Sequence, residues 1–185
     1  MPTNLKVERK PTKRRLLFPL CVLVAGCGGS SDSFQRAFVT DVRVDPDQVR
    51  VGEEISVRVD FDPSQSETQS GSDGETTTSL EDSTVVIRLP EGVDYVTGSS
   101  EFDGSDVGGF RTRGPNHVEI CSDGSRALTY QFTAGEQTDN ENSIRLTAKA
   151  FENVGTVTFG AEADDFIADA CSVGIEDTDQ LLVTG

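Results

Sequence analysis

The chain has no tryptophan, one histidine, one methionine and two tyrosines among its 185 residues. With His117 as the sole histidine, a histidine-based metal cluster cannot be built, and a Ser-His-Asp arrangement has only one base to use. Missing tryptophan removes a common stacking platform for sugars. No G-x-S-x-G elbow occurs, no glycine-rich phosphate loop follows a strand, and no N-x-[ST] sequon is present. No stretch keeps helical periodicity over three turns. That excludes parallel α/β folds, whose crossovers need helices. Long apolar runs are absent too. The longest, Leu16 to Gly26, has eleven residues, against the roughly 20 that a spanning helix needs.

That short run is the most informative segment present. Lys10, Lys13, Arg14 and Arg15 precede it, and it ends in Val24-Ala25-Gly26-Cys27. A basic flank, a short apolar stretch and small residues before a cut site make a secretory signal. The last four residues resemble the lipobox of prokaryotic lipoproteins. The resemblance implies that residues 1–26 are removed, that Cys27 takes lipid and that the chain is held extracytoplasmically at a membrane. Arg14-Arg15-Leu16-Leu17-Phe18 is partly similar to a twin-arginine signal, so the export route stays open, as does the choice of membrane. Residues 28–33, Gly-Gly-Ser-Ser-Asp-Ser, read as a flexible tether of at most roughly 20 Å.

Removing residues 1–26 takes six basic residues and one acid. The remaining 10 basic and 31 acidic residues carry a formal charge of −21. Phosphate-bearing partners, nucleic acid and anionic headgroups alike, are repelled by such a surface. The acids are spread along the whole chain. This reads as adaptation to high salt, where a Debye length of about 3 Å at 1 M screens self-repulsion.

Period-two alternation bounded by Gly, Pro, Asp and Asn recurs through residues 34–185. Strands are predicted at Phe38–Val44, Val49–Val51, Ile55–Phe61, Ser83–Leu89, Asp94–Thr97, Val107–Arg113, His117–Cys121, Leu128–Phe132, Ile144–Ala150, Val157–Ala163 and Gln180–Thr184. The reading is all-β: one antiparallel sandwich of about seven to nine strands over 34–185. Residues 63–82 are almost free of apolar side chains and are expected to form one long disordered loop.

Leu89-Pro90-Glu91-Gly92-Val93-Asp94-Tyr95-Val96-Thr97-Gly98-Ser99 resembles a passage of the Ig-like conserved-repeat domains of prokaryotic surface proteins. Val49 to Val57 is similar to the early strands of the same domains. The resemblance implies an Ig-like sandwich and no particular activity.

Cys121 and Cys171 form an even pair in an oxidising compartment, so a disulfide is expected. On a strand His117, Glu119 and Cys121 share one face. Alternation then puts Val118 and Ile120 in the core and the other three outside. No cofactor is required. Calcium is the one metal the acids suggest, with Asp164, Asp165, Glu176, Asp177 and Asp179 the candidate ligands; the spacing matches no EF-hand. The expected function is a non-enzymatic, lipid-anchored binding or structural module contacting a protein or glycan of the envelope. The alternatives are a solute- or metal-binding lipoprotein serving a transporter, and a surface hydrolase.

Overall fold

A computed structural model describes residues 32–70, 75–104 and 109–185. The signal segment, Cys27 and most of the tether lie outside the described residues. The strands are β1 (Asp32–Gln35), β2 (Phe38–Asp45), β3 (Gln48–Arg50), β4 (Glu54–Asp62), β5 (Gln65–Ser70), β6 (Glu75–Leu80), β7 (Ser83–Leu89), β8 (Val93–Tyr95), β9 (Glu101–Asp103), β10 (Arg111–Thr112), β11 (His117–Ile120), β12 (Arg126–Phe132), β13 (Asn142–Ala150), β14 (Gly155–Asp164) and β15 (Asp177–Thr184). The chain is an all-β sandwich.

The first sheet runs β10-β9-β13-β4-β2, with β8 also on β13; the second runs β11-β12-β7-β14-β15-β3. Pairing is antiparallel except between β15 and β3. Alternation decides what lies between the sheets. Ile55, Val57, Val59 and Phe61 of β4 meet Val85, Ile87 and Leu89 of β7, with Leu128, Tyr130 and Phe132 of β12 beside them, all at most 2 % exposed. Each such side chain contributes about 1.5–3 kcal/mol by leaving water. Phe132 is the hinge of an aromatic group, with its ring centroid 4.2 Å from Phe102 and 5.5 Å from Phe61.

Four expectations need correction. Residues 63–82 are not one long disordered loop: β5 and β6 pair in an unbroken antiparallel register from Gln65↔Leu80 to Ser70↔Glu75. Low apolar content argued for disorder, but Thr76, Thr77 and Thr78 are β-branched and suit a pleated ladder. Buried Ser64 ties the base of this hairpin: its Oγ accepts from Ala37 N–H at 2.9 Å and its own N–H donates to Ser83 Oγ at 3.0 Å. Asp32 and Ser33 are likewise not tether; they belong to β1, which pairs with β5. The strand count is fifteen among the described residues, because β1, β5, β6 and β9 carry too little alternation to be seen. Finally, β11 does not bury the residues that its alternation assigns to the core. Val118 and Ile120 are 42 % and 66 % exposed, while Cys121 is buried.

Cys121 is buried because the outer face of the second sheet is itself covered at that point. Residues 165–176, between β14 and β15, fold back across it. Val86, Cys121, Ala127 and Ala170 form a second small core there, with Ile167, Cys171 and Val173 packed against it. Gly160 lets this strap lie close: a Cβ there would stand 2.6 Å from Ile175 Cγ2.

Candidate functional site

The expected disulfide is present. Cys121 and Cys171 are joined with a Cα–Cα distance of 5.4 Å, closing a separation of 50 residues. It staples the strap to the end of β11. Arg88 reinforces the same point, donating to Cys171 O at 2.8 Å and to Asp123 Oδ2 at 2.9 Å. Glu119 and Asp169 carboxylates lie within 4.8 Å of the Cys171 sulfur. With that sulfur in a disulfide, the group offers two carboxylates and no thiolate. Asp169 accepts from Cys171 N–H at 3.0 Å and Ser172 Oγ at 2.8 Å. The Ser172 hydroxyl first, and then the Cys171 N–H, hold its carboxyl below the usual range.

The five acids proposed for calcium divide into two groups. Asp164 pairs with Arg36 at 3.4 Å and accepts from Asp165 N–H at 2.8 Å. Burial and the neighbouring Asp165 push the Asp164 carboxyl up, while hydrogen bonding from Asp164 holds that of Asp165 down. Glu176, Asp177 and Asp179 instead cap a sheet edge. Glu176 Oε2 accepts from Val39 N–H at 2.7 Å, Asp177 Oδ2 from Val42 N–H at 2.9 Å and Asp179 Oδ2 from Val44 N–H at 2.8 Å. All three donors lie on β2, the edge of the first sheet. Outward N–H groups on a strand recur every second residue, which suits Val42 and Val44. The register shift between Val39 and Asp41 resets the phase, so Val39 also faces the ladder. On β15 the sequence Asp177-x-Asp179-x-Leu181-x-Val183 has one parity, and Leu181 and Val183 are core residues. The acidic half of this inward face reaches the edge of the opposite sheet.

Glu162, on the outer face of β14, is the strained member of the acidic region. Its Oε2 is buried with no hydrogen-bond partner. Desolvation, then Glu176 and Asp164, push its carboxyl above the ordinary value of 4.5.

A concavity lies at the other edge of the sandwich. A cleft of about 560 Å³ is lined by Asp94, Tyr95, Thr97, Gly98, Gly114, Pro115, Val118 and Arg126. Tyr95 Oη is fixed by Ser100 Oγ at 2.8 Å and by Gly98 N–H at 3.1 Å. Asp94 and Arg126 form an ion pair, so the charges in the cleft cancel. Val118 stands opposite the core residue Leu128, and Ile120 opposite Arg126. Cross-strand partners share a face. Val118 and Ile120 therefore point the same way as the core, from an edge strand that the first sheet leaves uncovered. Among the described residues β11 has a neighbour on one side only. The arrangement offers an apolar floor beside an open strand edge. His117 is exposed at the start of β11.

A second, more polar cleft of about 400 Å³ includes Asp82, Arg113, Asn116, Glu136, Asp165 and Phe166. Arg113 lies 5.6 Å over the Phe132 ring and donates to Gln131 O at 2.6 Å. The Thr133 N–H holds the Glu136 carboxyl below its usual range, with Arg113 adding to the effect.

Two features could have been read from sequence. The unbroken apolar run Val85-Val86-Ile87 signals a strand covered on both faces. The shared parity of Asp177, Asp179, Leu181 and Val183 signals inward-facing carboxylates. The open edge of β11 had no sequence signal, because alternation assigns faces without saying which face or edge is covered.

No protein-family model matches this chain, and no curated protein sequence does. Among solved structures, the collagen-binding subdomain of the Enterococcus faecalis surface protein ACE is 12 % identical, with 78 % of this chain and 96 % of that one covered and a TM-score of 0.40. The collagen-binding domain of the Erysipelothrix rhusiopathiae surface protein RspB is 8 % identical, with coverages of 80 % and 94 % and a TM-score of 0.38. AvmM, which catalyses macrocyclisation in alchivemycin A biosynthesis, is 13 % identical, with coverages of 84 % and 89 % and a TM-score of 0.39. At these values the likeness brings no ligand, residue role or activity to this chain.

Proposed function

We propose that this chain is a lipid-anchored, extracytoplasmic, non-enzymatic binding module that takes an extended segment of an envelope protein on the edge of β11. The observation that carries the reading is the exposed, core-directed pair Val118 and Ile120 beside the cleft at Tyr95 and Pro115. Strand addition to an open edge supplies main-chain hydrogen bonds, and side-chain pockets supply selectivity. The apolar floor favours a protein segment over a glycan. The formal charge of −21 favours a segment with neutral or basic flanks. Anchoring through Cys27 would keep the module at the membrane surface.

Selection of displayed random peptides on the full-length protein tests the docking edge. Peptides with alternating apolar residues are expected, and their binding should fall at least tenfold in Ile120→Asp. Peptides that bind Ile120→Asp and wild type alike would refute the site. Metabolic labelling with an alkyne fatty acid tests the anchor: label should appear in wild type and vanish in Cys27→Ser. Salt adaptation predicts a higher melting temperature in molar KCl than in dilute buffer.

A further inference from the structure

We propose that the polar cleft at one end of the second sheet binds a neutral saccharide, with Phe166 against the sugar ring and Asn116 and Asp82 on its hydroxyls. The cleft measures about 400 Å³, inside the range of about 300–1,000 Å³ usual for small-molecule sites. Four chain segments meet there: the start of β7, the end of β12, the residues before β11 and the residues after β14. These strands are neighbours in the sheet, so one ladder sets the spacing of all four segments.

Side chains already occupy the main chain of the cleft. Gln131 N–H donates to Asn116 Oδ1 at 2.8 Å, and Gln131 O accepts from Arg113 at 2.6 Å. Thr133 N–H donates to Glu136 Oε2 at 2.9 Å, and Ala134 N–H to Asp82 Oδ1 at 3.0 Å. An extended peptide docks by main-chain pairing, and these N–H and C=O groups are closed to it. A ligand here is read by side chains. The same bonds fix what is left over. Asn116 is held by its oxygen, and its Nδ2 donor has no protein partner among the described residues. Asp82 is held by Oδ1, and its Oδ2 acceptor has none either. A fixed donor and a fixed acceptor suit hydroxyls, which accept and donate at once. Both side chains are ordered before binding, which lowers the cost of association.

Charge narrows the ligand to a neutral one. Asp82, Glu136 and Asp165 against Arg113 give the lining a formal charge of −2, which turns away phosphates, sulfates and uronates. A cation is no better served. Glu136 Oε2 accepts from both the N–H and the Oγ of Thr133, and Oε1 pairs with Arg113 at 3.5 Å. Asp165 is hydrogen-bonded by the Asp164 side chain. Asp82 Oδ2 then stands beside an amide donor and a guanidinium, and both repel a positive group.

Phe166 completes the set. It is 70 % exposed, more than any other large apolar side chain among the described residues, and it stands on the strap that the Cys121–Cys171 disulfide holds. A pyranose ring has an apolar C–H face and a rim of hydroxyls. Laying that face on Phe166 removes apolar area from water on both partners, while the rim meets Asn116 and Asp82. This proposal goes beyond the β11 reading and does not rest on it.

The test offers full-length protein in detergent to an array of immobilised neutral oligosaccharides built from hexoses and N-acetylhexosamines. Sulfated chains, uronate chains and basic peptides share the array. Binding to at least one neutral chain, in preference to every charged probe, is expected. Phe166→Ala should weaken it at least tenfold, and Phe166→Tyr, which keeps the aromatic face, should not. Asn116→Asp keeps the oxygen that accepts from Gln131 N–H and removes only the free donor; it should weaken binding at least fivefold. Ile120→Asp on β11 should bind the saccharide as wild type does. On the wild type itself, saturating the aromatic protons by NMR should carry magnetisation to the C–H protons of the bound sugar, which keeps the test decisive should a variant misfold. Binding to no neutral chain overturns the proposal. So does a preference for an anionic chain or a basic peptide, binding that survives Phe166→Ala, loss of binding in Ile120→Asp, or a bound sugar that receives no magnetisation from aromatic protons.

Discussion

β2 and β6 are both edge strands of the same chain, and they are treated in opposite ways. β2 lies at the rim of the main core, and three acidic side chains from the far end of the chain accept its outward N–H groups. β6 lies on a sheet with no core, and among the described residues nothing covers it. The difference teaches that the acidic composition does two jobs here. On most of the surface it is solvated charge. Along β15 it is a set of positioned acceptors that finish the sandwich by closing its edge. A count of carboxylates cannot separate the two; the strand parity and the opposite sheet do.

The largest way to sharpen this contrast is to loosen the covered part alone. Replacing Cys121 and Cys171 by alanine should cost about 4 kcal/mol on the chain-entropy account of a 50-residue loop. Calorimetry should show the main transition falling, while hydrogen exchange on β5 and β6 stays as in wild type. Uncapping β2 comes next. Asp177→Ala with Asp179→Ala leaves two N–H groups without their charged acceptors and should cost about 3 kcal/mol together. Exchange at the Val42 and Val44 amides should rise more than at Val57. Asp179→Asn, which keeps an acceptor oxygen, should recover part of the loss. The bare hairpin should respond far less. Thr77→Pro should shift the main melting transition by under about 1 kcal/mol equivalent; a fall as large as that of the β15 variants would break the comparison and make the hairpin part of the sandwich core. The smallest effect concerns Glu162, whose carboxyl is raised by burial and by Glu176 and Asp164. A raised acid weakens the fold where it must be charged. That cost is full above its folded pKa, shrinks as pH falls through that value and is gone below the unfolded one. Glu162→Gln should therefore raise the melting temperature by a degree or two, roughly, at neutral pH, and the gain should vanish near pH 4, below the ordinary value of 4.5.

Much of the sandwich was legible from residues. β4, β13 and β14 announce themselves by alternation, since one buried face forces period two, and β7 by its unbroken apolar run. The disulfide was legible as well, from an even pair of cysteines in a chain expected to be exported. The hairpin was not, because a polar strand held by ladder hydrogen bonds and β-branching carries no burial signature. The burial of β11 was not legible either. His117 to Cys121 alternates and its two faces point as read, but which face is covered depended on a strap more than forty residues downstream.

The sequence by itself determined an all-β fold, a strongly acidic composition and the Cys121–Cys171 pair. Each follows from local pattern or composition. Only the tertiary structure decided that Glu176, Asp177 and Asp179 cap β2, that Val118 and Ile120 stand uncovered over a cleft, and that β6 ends a sheet without protection. These are facts about which strand lies at an edge and what reaches it from across the core. Edges are set by pairing between segments far apart in the chain, and no local pattern records them.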